Sequence, residues 1–512
     1  MRKTLSFFIC FQYESSIKNL FLFHRQNLLP FAENCLFSII AQGRRLSSAT
    51  PEKLHRKSVV VLAPDLCYNS RQKGGITMNA NKHNRTFWVV LTVFSLVGQV
   101  AWVMENMYFN VFIYQEFHAS ADAISAMVAA SALTATLTTL LMGALSDKLG
   151  RRKSFICIGY LCWGLSIWSF ALIRADVIHG MFGATVNAAS IGCALVIAMD
   201  CVMTFFGSTA NDAAFNAWLT DSTDHTNRGA AEGINAMMPL MAILVVFGGA
   251  MLLDPDSNHY WTVFFGVIGT AVTLIGILGF FLIREPTIVT QGNERYFQNI
   301  FYGFRPSVIR QNPRFYQTLA AYAVFGIAIQ IFMPYLILYF TVTLKMDNYV
   351  LIFAPAILLA GAFTALYGRC YDKLGFTKSI LPALGLLMGG FVLLYFFTHT
   401  VLVFMGTLMM MCGYLAGMAV FGAMLRDHTP AGKAGMFQGQ RIVGQVLIPG
   451  IIGPAIGAAV LRNAQTVQNS DGTSSFVPNQ NIFLASLLAA VAILPLLLPL
   501  MKKRGHALQL LL

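Results

Sequence analysis

The chain has 512 residues, of which 56% are hydrophobic and only 11% charged, with a formal net charge of +13. Soluble domains carry about 25% charged residues, so a globular chain of this length could not cover its surface. A soluble enzyme is excluded and a polytopic membrane protein indicated. Nor does the positive charge point to nucleic acid: residues 1–77 hold a net +7, and residues 78–512 hold a net +6 in short clusters between apolar runs.

Residues 1–77 are basic and poor in acids, and their apolar run Ser58-Val59-Val60-Val61-Leu62 is too short to span a bilayer. The stretch Arg71-Gln72-Lys73-Gly74-Gly75-Ile76-Thr77 ends just before Met78. Lys-Gly-Gly can be the in-frame reading of a purine-rich bacterial ribosome-binding site. The expectation is that translation starts at Met78 and residues 1–77 are an untranslated upstream extension. The alternative is an organelle-targeting leader.

From Phe87 onward, twelve segments are long enough to cross about 30 Å of hydrocarbon at about 1.5 Å per residue. They run over 87–113, 123–145, 154–173, 189–214, 233–253, 261–283, 316–340, 349–369, 379–398, 400–424, 439–461 and 482–500. With the Met78 end in the cytoplasm, 21 of the 24 Lys and Arg after residue 77 fall inside; only Arg174, Lys345 and Arg462 fall outside. That bias predicts an even number of spans with both termini cytoplasmic. The inside connection 284–315 divides the body into an N-terminal bundle, 78–283, and a C-terminal bundle, 316–500, followed by a cytoplasmic tail, 501–512. Within that connection, residues 296–302 form an interfacial amphipathic piece.

Two turns carry the same text. Between spans 2 and 3 stands Gly143-Ala144-Leu145-Ser146-Asp147-Lys148-Leu149-Gly150-Arg151-Arg152-Lys153. Between spans 8 and 9 stands Gly368-Arg369-Cys370-Tyr371-Asp372-Lys373-Leu374-Gly375-Phe376-Thr377-Lys378. Both contain G-x-x-x-D-K-L-G, 225 residues apart and at matching places in two sixes, which indicates internal duplication. Glycine permits close helix approach and a tight reversal, aspartate can accept from amides at a neighbouring helix N-terminus, and the basic residues meet an anionic inner leaflet. Two roles stay open: topology anchoring alone, or a gate latch that makes and breaks contacts as the halves rock.

These turns resemble the signature loop of the major facilitator superfamily. The resemblance extends over 78–512 and implies an all-α membrane protein, twelve transmembrane helices in two six-helix bundles, working by alternating access with the latch closing the cytoplasmic side. The second copy has Phe376-Thr377 where the first has Arg151-Arg152, so the N-terminal latch should matter more. A narrower resemblance lies in Asn211-Asp212-Ala213-Ala214-Phe215-Asn216-Ala217-Trp218-Leu219-Thr220-Asp221 and Asn227-Arg228-Gly229, which is similar to the helix 4 region of glycoside and sugar:cation symporters. Thr429-Pro430-Ala431-Gly432-Lys433-Ala434-Gly435 is its expected C-terminal counterpart. The paired acids that some sodium-coupled melibiose-type carriers have in helix 2 have no counterpart here, Asp122 standing at the outer edge, so sodium coupling is not expected.

Polar residues at membrane depth nominate the transport site. Span 1 contributes Trp102, Glu105, Asn106, Tyr108 and Asn110, with Asn106 and Asn110 four apart on one face. Span 4 contributes Asp200, Asn211 and Asp212, and span 7 contributes Gln330 with Pro334 and Tyr335 one turn onward. A carboxylate in a low-dielectric cavity can alternate between protonated and charged forms, so Glu105 and Asp200 are candidate proton-coupling residues. Either could equally serve as a structural interhelical hydrogen bond. Arg441 reads as a latch or surface residue, one turn from Gln445 on the same face.

The leading expectation is a proton-coupled carrier of a sugar or glycoside in a bacterial inner membrane, in contact with lipid and complete as a monomer. The alternatives are an exporter of amphiphilic compounds and a membrane sensor or scaffold. No phosphate-binding glycine loop, zinc-ligand spacing or nucleophilic triad supports an enzyme. Cofactors, metals and nucleic acid are not expected, and the scattered cysteines read as small buried hydrophobes.

Overall fold

The computed structural model describes residues 85–183, 187–223, 227–254, 257, 259–286, 302–346, 348–430, 434–469 and 473–501. The expected start at Met78, the amphipathic text before Tyr302, residues 431–433 of the Thr429-to-Gly435 stretch and the tail beyond Met501 lie outside the described residues.

Among the described residues, eleven helices are each long and apolar enough to span a membrane. They are Arg85–Phe117 (α1), Ala121–Leu149 (α2), Ala188–Asp221 (α4), Ala230–Met251 (α5), Tyr260–Leu282 (α6), Pro313–Thr343 (α7), Val350–Gly368 (α8), Lys373–Phe396 (α9), Thr400–His428 (α10), Gly439–Leu461 (α11) and Asn481–Met501 (α12). The twelfth, α3 (Arg152–Phe170), is followed by a short helix, Ala175–Phe182, bent from it by 84°. The segment expected to span through residue 173 therefore stops at Phe170. Span 4 errs the other way: its apolar text fades at Asn211, yet the helix continues to Asp221, because the polar residues there face protein and their backbone keeps its helical bonds. Helix α7 likewise begins at Pro313, inside the stretch expected to be loop.

Lipid exposure follows from the pattern. On α2 the leucines at 133, 137, 141, 145 and 149 are all exposed, one every fourth residue along a single face. In water such a stripe would be an aggregation site; in hydrocarbon it is the ordinary outer wall. The opposite face of α2 turns inward with Ser131 and Ala132.

Within the first six helices α3 packs along α6 and α1 along α5. The α3–α6 approach is close enough that a Cβ on Gly164 would meet the Thr273 backbone nitrogen at 2.4 Å. Aromatic rings fill the rest, with Phe109 on Phe170 at 4.3 Å and Phe112 on Phe265 at 5.0 Å. The two sixes meet along α2–α11 and α5–α8, where Phe247 stacks on Phe353 at 5.9 Å.

Both copies of the repeated turn end in a positive-φ glycine, Gly150 at φ 61°, ψ 26° and Gly375 at φ 75°, ψ 176°. The tight reversal expected of the motif is thus present in each. An added Cβ on Gly143 would meet Ala213 at an ordinary 3.8 Å, and one on Gly368 would meet nothing within 4 Å, so close approach is not what these two glycines supply. The side chains of Arg369 and Asp372 lie outside the described residues.

Candidate functional site

Among the described residues, four helices depart from α geometry by a π-helical turn, which accommodates one residue more than the α-helix needs and is frequent at functional sites. The turns are Met104–Tyr108 in α1, Ser208–Phe215 in α4, Tyr339–Thr343 in α7 and Val443–Leu447 in α11. Those of α1, α4 and α11 each bring residues to one central cavity.

That cavity, of about 300 Å³, is lined by Trp102, Glu105, Asn106 and Asn110 from α1. Met127, Val128, Ser131, Ala132 and Ala135 of α2 complete one wall, and Asp200 and Asp212 of α4 another. Gln330 of α7 and Gln445, Val446 and Gly450 of α11 close it from the second bundle. Among the described residues, no Lys, Arg or His belongs to this lining. The sequence nominees Trp102, Glu105, Asn106, Asn110, Asp200, Asp212 and Gln330 are brought together here.

Glu105 is buried, and its Oε1 accepts from Ser131 Oγ at 2.6 Å and Thr204 Oγ1 at 3.0 Å, while those two hydroxyls lie 2.9 Å apart. One carboxylate oxygen thereby joins α1, α2 and α4. Its other oxygen, Oε2, is buried with no hydrogen-bond partner, as are Asn110 Oδ1 and Asp200 Oδ1. Asp212 accepts from Ser208 Oγ at 3.2 Å. The amides of Asn106 and Asn110 donate to carbonyls one turn back, at 2.8 and 3.0 Å. Trp102 rests against Trp163 at 5.1 Å between ring centroids.

Three other nominees stand elsewhere. Asn211 accepts from Tyr160 Oη at 3.0 Å and lines neither this cavity nor the second one described below. Tyr108 meets Tyr349 Oη at 3.2 Å, and Tyr335 donates to the carbonyls of Ala121 at 3.1 Å and Pro454 at 3.3 Å. Tyr108 and Tyr335 thus join the two bundles at the end away from the repeated turns. A hairpin, Thr466–Gln468 paired with Ser474–Phe476, adds to that closure. Tyr114 donates to the Phe476 carbonyl at 2.6 Å, and His118 Nδ1 lies 3.1 Å from Asn469 Nδ2 and 3.2 Å from Ser475 Oγ. Arg462 approaches Asp122 at 3.6 Å on the exposed surface nearby.

At the turn end, Arg152 is the hub. Its guanidinium pairs with Asp147, bonds Asp221 Oδ2 at 3.0 Å and donates to Ser146 Oγ at 2.6 Å. Lys148 and Arg151 flank this cluster in the sequence. Glu285 accepts from the backbone amides of Arg152 and of Lys153, the latter at 3.1 Å, so it takes the helix-start contact that the sequence suggested for an aspartate. Arg441 stands on α11 with its Nε buried and without a hydrogen-bond partner.

Sequence reasoning missed Ser131, Thr204 and Glu285. Thr204 was reachable: Asp200, Thr204, Ser208 and Asp212 recur every fourth residue, a polar stripe on an otherwise apolar helix. Ser131, set among alanines, has no such signal.

Twelve membrane-length helices around a polar cavity between two bundles define a membrane transporter and not an enzyme. The chain belongs to the Major Facilitator Superfamily, whose sequence profile matches residues 87–454. Among solved structures it is similar to a D-xylose-proton symporter (14% identity, TM-score 0.62, covering 80% of this chain and 97% of that one). The xylose transporter XylE of E. coli in a partially occluded inward-open conformation gives 13%, 0.60, 82% and 100%. The nucleoside transporter NupG gives 13%, 0.56, 81% and 99%. At such identities the likeness is one of fold. Comparison with curated protein sequences gives no match.

Proposed function

We propose that this protein is a proton-coupled carrier of a sugar or glycoside, working by alternating access in a bacterial cytoplasmic membrane with both termini inside. Residues 78–283 and 316–500 are the two moving bundles and 284–315 their connector. The observation that carries the substrate class is the polar cavity. Among the described residues three carboxylates and four amides surround it, no basic residue lines it, and Glu105 Oε2, Asn110 Oδ1 and Asp200 Oδ1 are buried acceptors without partners. Buried acceptors need donors, and a polyhydroxylated solute supplies several. Trp102 offers a flat apolar face beside them, suited to the C–H face of a sugar ring. An anionic solute has no countercharge here.

Coupling follows from Glu105. Deprotonated, its carboxylate only accepts; protonated, it donates as well. Solute hydroxyls and a proton therefore address the same group, and Asp200 adds a second site on the same cavity. Closure by Tyr335, Tyr108 and the hairpin at the end away from the repeated turns supports an inward-facing arrangement, with the Arg152 cluster as the latch side. The test is uptake of a labelled sugar panel into proteoliposomes under an imposed pH gradient. Sugar-driven proton movement supports the proposal; drug flux without sugar flux overturns it.

A further inference from the structure

A second cavity, of about 280 Å³, lies on the other side of α1 and α7. It shares Trp102, Asn106 and Gln330 with the first and is otherwise built from α1, α5, α7, α8 and α10. Its character differs. Leu240, Ile243, Ile329, Met333, Ile357 and Met411 dominate the wall, and no carboxylate is present. All three carboxylates belong to the first cavity. Each volume sits at or just below the bottom of the roughly 300–1,000 Å³ of small-molecule sites.

From this division we infer that the solute is amphiphilic: a glycoside whose sugar occupies the polar cavity and whose aryl or other apolar aglycone occupies the second, the two parts joined beside Trp102, Asn106 and Gln330. The inference rests on the sugar reading above and sharpens it. A free monosaccharide would use only the first cavity and would leave Leu240, Ile357 and Met411 without a role in recognition. An apolar aglycone removes their surface from water together with its own. The side chains at the junction suit the linkage: Asn106 and Gln330 carry amides able to bond a glycosidic oxygen, and Trp102 is held by Trp163 at 5.1 Å. Met333 and Met411 add a deformable lining that accepts more than one ring shape.

The test compares matched pairs, the phenyl and methyl glycosides of glucose and galactose in both anomers, as ligands of the full chain in lipid nanodiscs. For at least one pair the phenyl compound binds about 10-fold or more tightly than the methyl one. In Leu240→Gln and in Met411→Trp that ratio falls to about 2 or less. The ratio is read within each variant, so reduced folding scales both members of a pair alike. Equal binding of both members in the wild type overturns the inference and leaves the sugar reading standing. A ratio that survives both substitutions places the aglycone elsewhere and overturns it as well. Binding of neither member of any pair overturns the sugar reading and this inference together.

Discussion

The phenol of Tyr335 donates to the carbonyl of Ala121, tying α7 of one bundle to the first turn of α2 in the other. A single intramolecular hydrogen bond of this kind contributes about 0.5–1.5 kcal/mol. Tyr335→Phe keeps the ring and removes the bond, so the ratio of outward-open to inward-facing molecules should rise by about 2- to 10-fold. Distances between spin labels on the outer ends of α2 and α8 would report it; an unchanged distribution would show that the bond does not hold the two bundles together.

Glu105 is the joint of α1, α2 and α4 as well as the nominated proton carrier, and two substitutions separate these roles. Glu105→Gln retains a group that can bond Ser131 and Thr204 but removes the titration. It should abolish solute-driven proton movement while leaving solute exchange within about 3-fold of wild type. Thr204→Val should leave coupling in place and cost about 1–3 kcal/mol of stability through loss of a bond to a charged or polar acceptor. Full coupling in both Glu105→Gln and Asp200→Asn would remove the assignment.

Arg152 uses different edges of its guanidinium for Asp147, Asp221 and Ser146. A lysine presents one point charge and cannot reproduce the fork. Arg152→Lys should therefore behave nearly as badly as Arg152→Met, each losing about 1.5–3 kcal/mol, the upper part of which is reduced because Asp147 and Asp221 are partly exposed. Thermal unfolding in detergent checks this; rescue by lysine would mean that charge alone is enough.

Gly150 and Gly375 close the two copies of the turn at positive φ but in different conformations, Gly150 at φ 61°, ψ 26° and Gly375 at φ 75°, ψ 176°. The first is left-handed helical, where alanine should cost about 1–2 kcal/mol and asparagine less. The second lies in a region essentially restricted to glycine, so alanine and asparagine should each cost about 1–3 kcal/mol there. Equal rescue by asparagine at both sites, read from melting temperatures, would contradict that backbone origin.

Tyr114 anchors the hairpin through the Phe476 carbonyl, and His118 meets its Asn469 and Ser475. Replacing the hairpin by a short Gly-Ser linker should raise labelling of a cysteine placed at Tyr349 by about 5-fold or more, since three contacts worth about 1 kcal/mol each are lost. Labelling at the wild-type rate would make the hairpin a bystander.

Much of the fold is legible in the sequence because lipid imposes a simple rule: about twenty apolar residues per span, with the few charges between them. The repeated turn and the twelve spans follow from that. What misled were helix ends made of polar text. The stretch from Phe215 to Asp221 falls beyond the expected end of span 4 at 214, but its side chains bond within the bundle, as Asp221 does with Arg152 and Trp218 with the Arg284 carbonyl. The carboxylates and amides of the cavity stand out as polar letters in apolar words. Tyr108 and Tyr335 stand out too, yet a tyrosine at depth can face a cavity or cross to a neighbouring backbone, and only three-dimensional placement separates the two. The apolar cavity is invisible in sequence, since Leu240, Ile357 and Met411 look like any lipid-facing or core residue.

The π-helical turns have one more consequence. Each holds a surplus residue, so the helix on one side is rotated by about 100° against the phase that an unbroken α-helix would have. Removing a single residue from Met104–Tyr108 would let α1 close into regular geometry without unfolding. Tyr114 and His118 beyond it would keep their alignment with the hairpin, since the residue lost is the one the π turn absorbs, and the change would be confined to the turn itself, where Glu105 stands. The membrane would still be crossed at the same length to within about 1.5 Å. A deletion inside the turn would therefore act on the chemistry at Glu105 and spare closure at the outer end, whereas one elsewhere in α1 would rotate everything beyond it by about 100°.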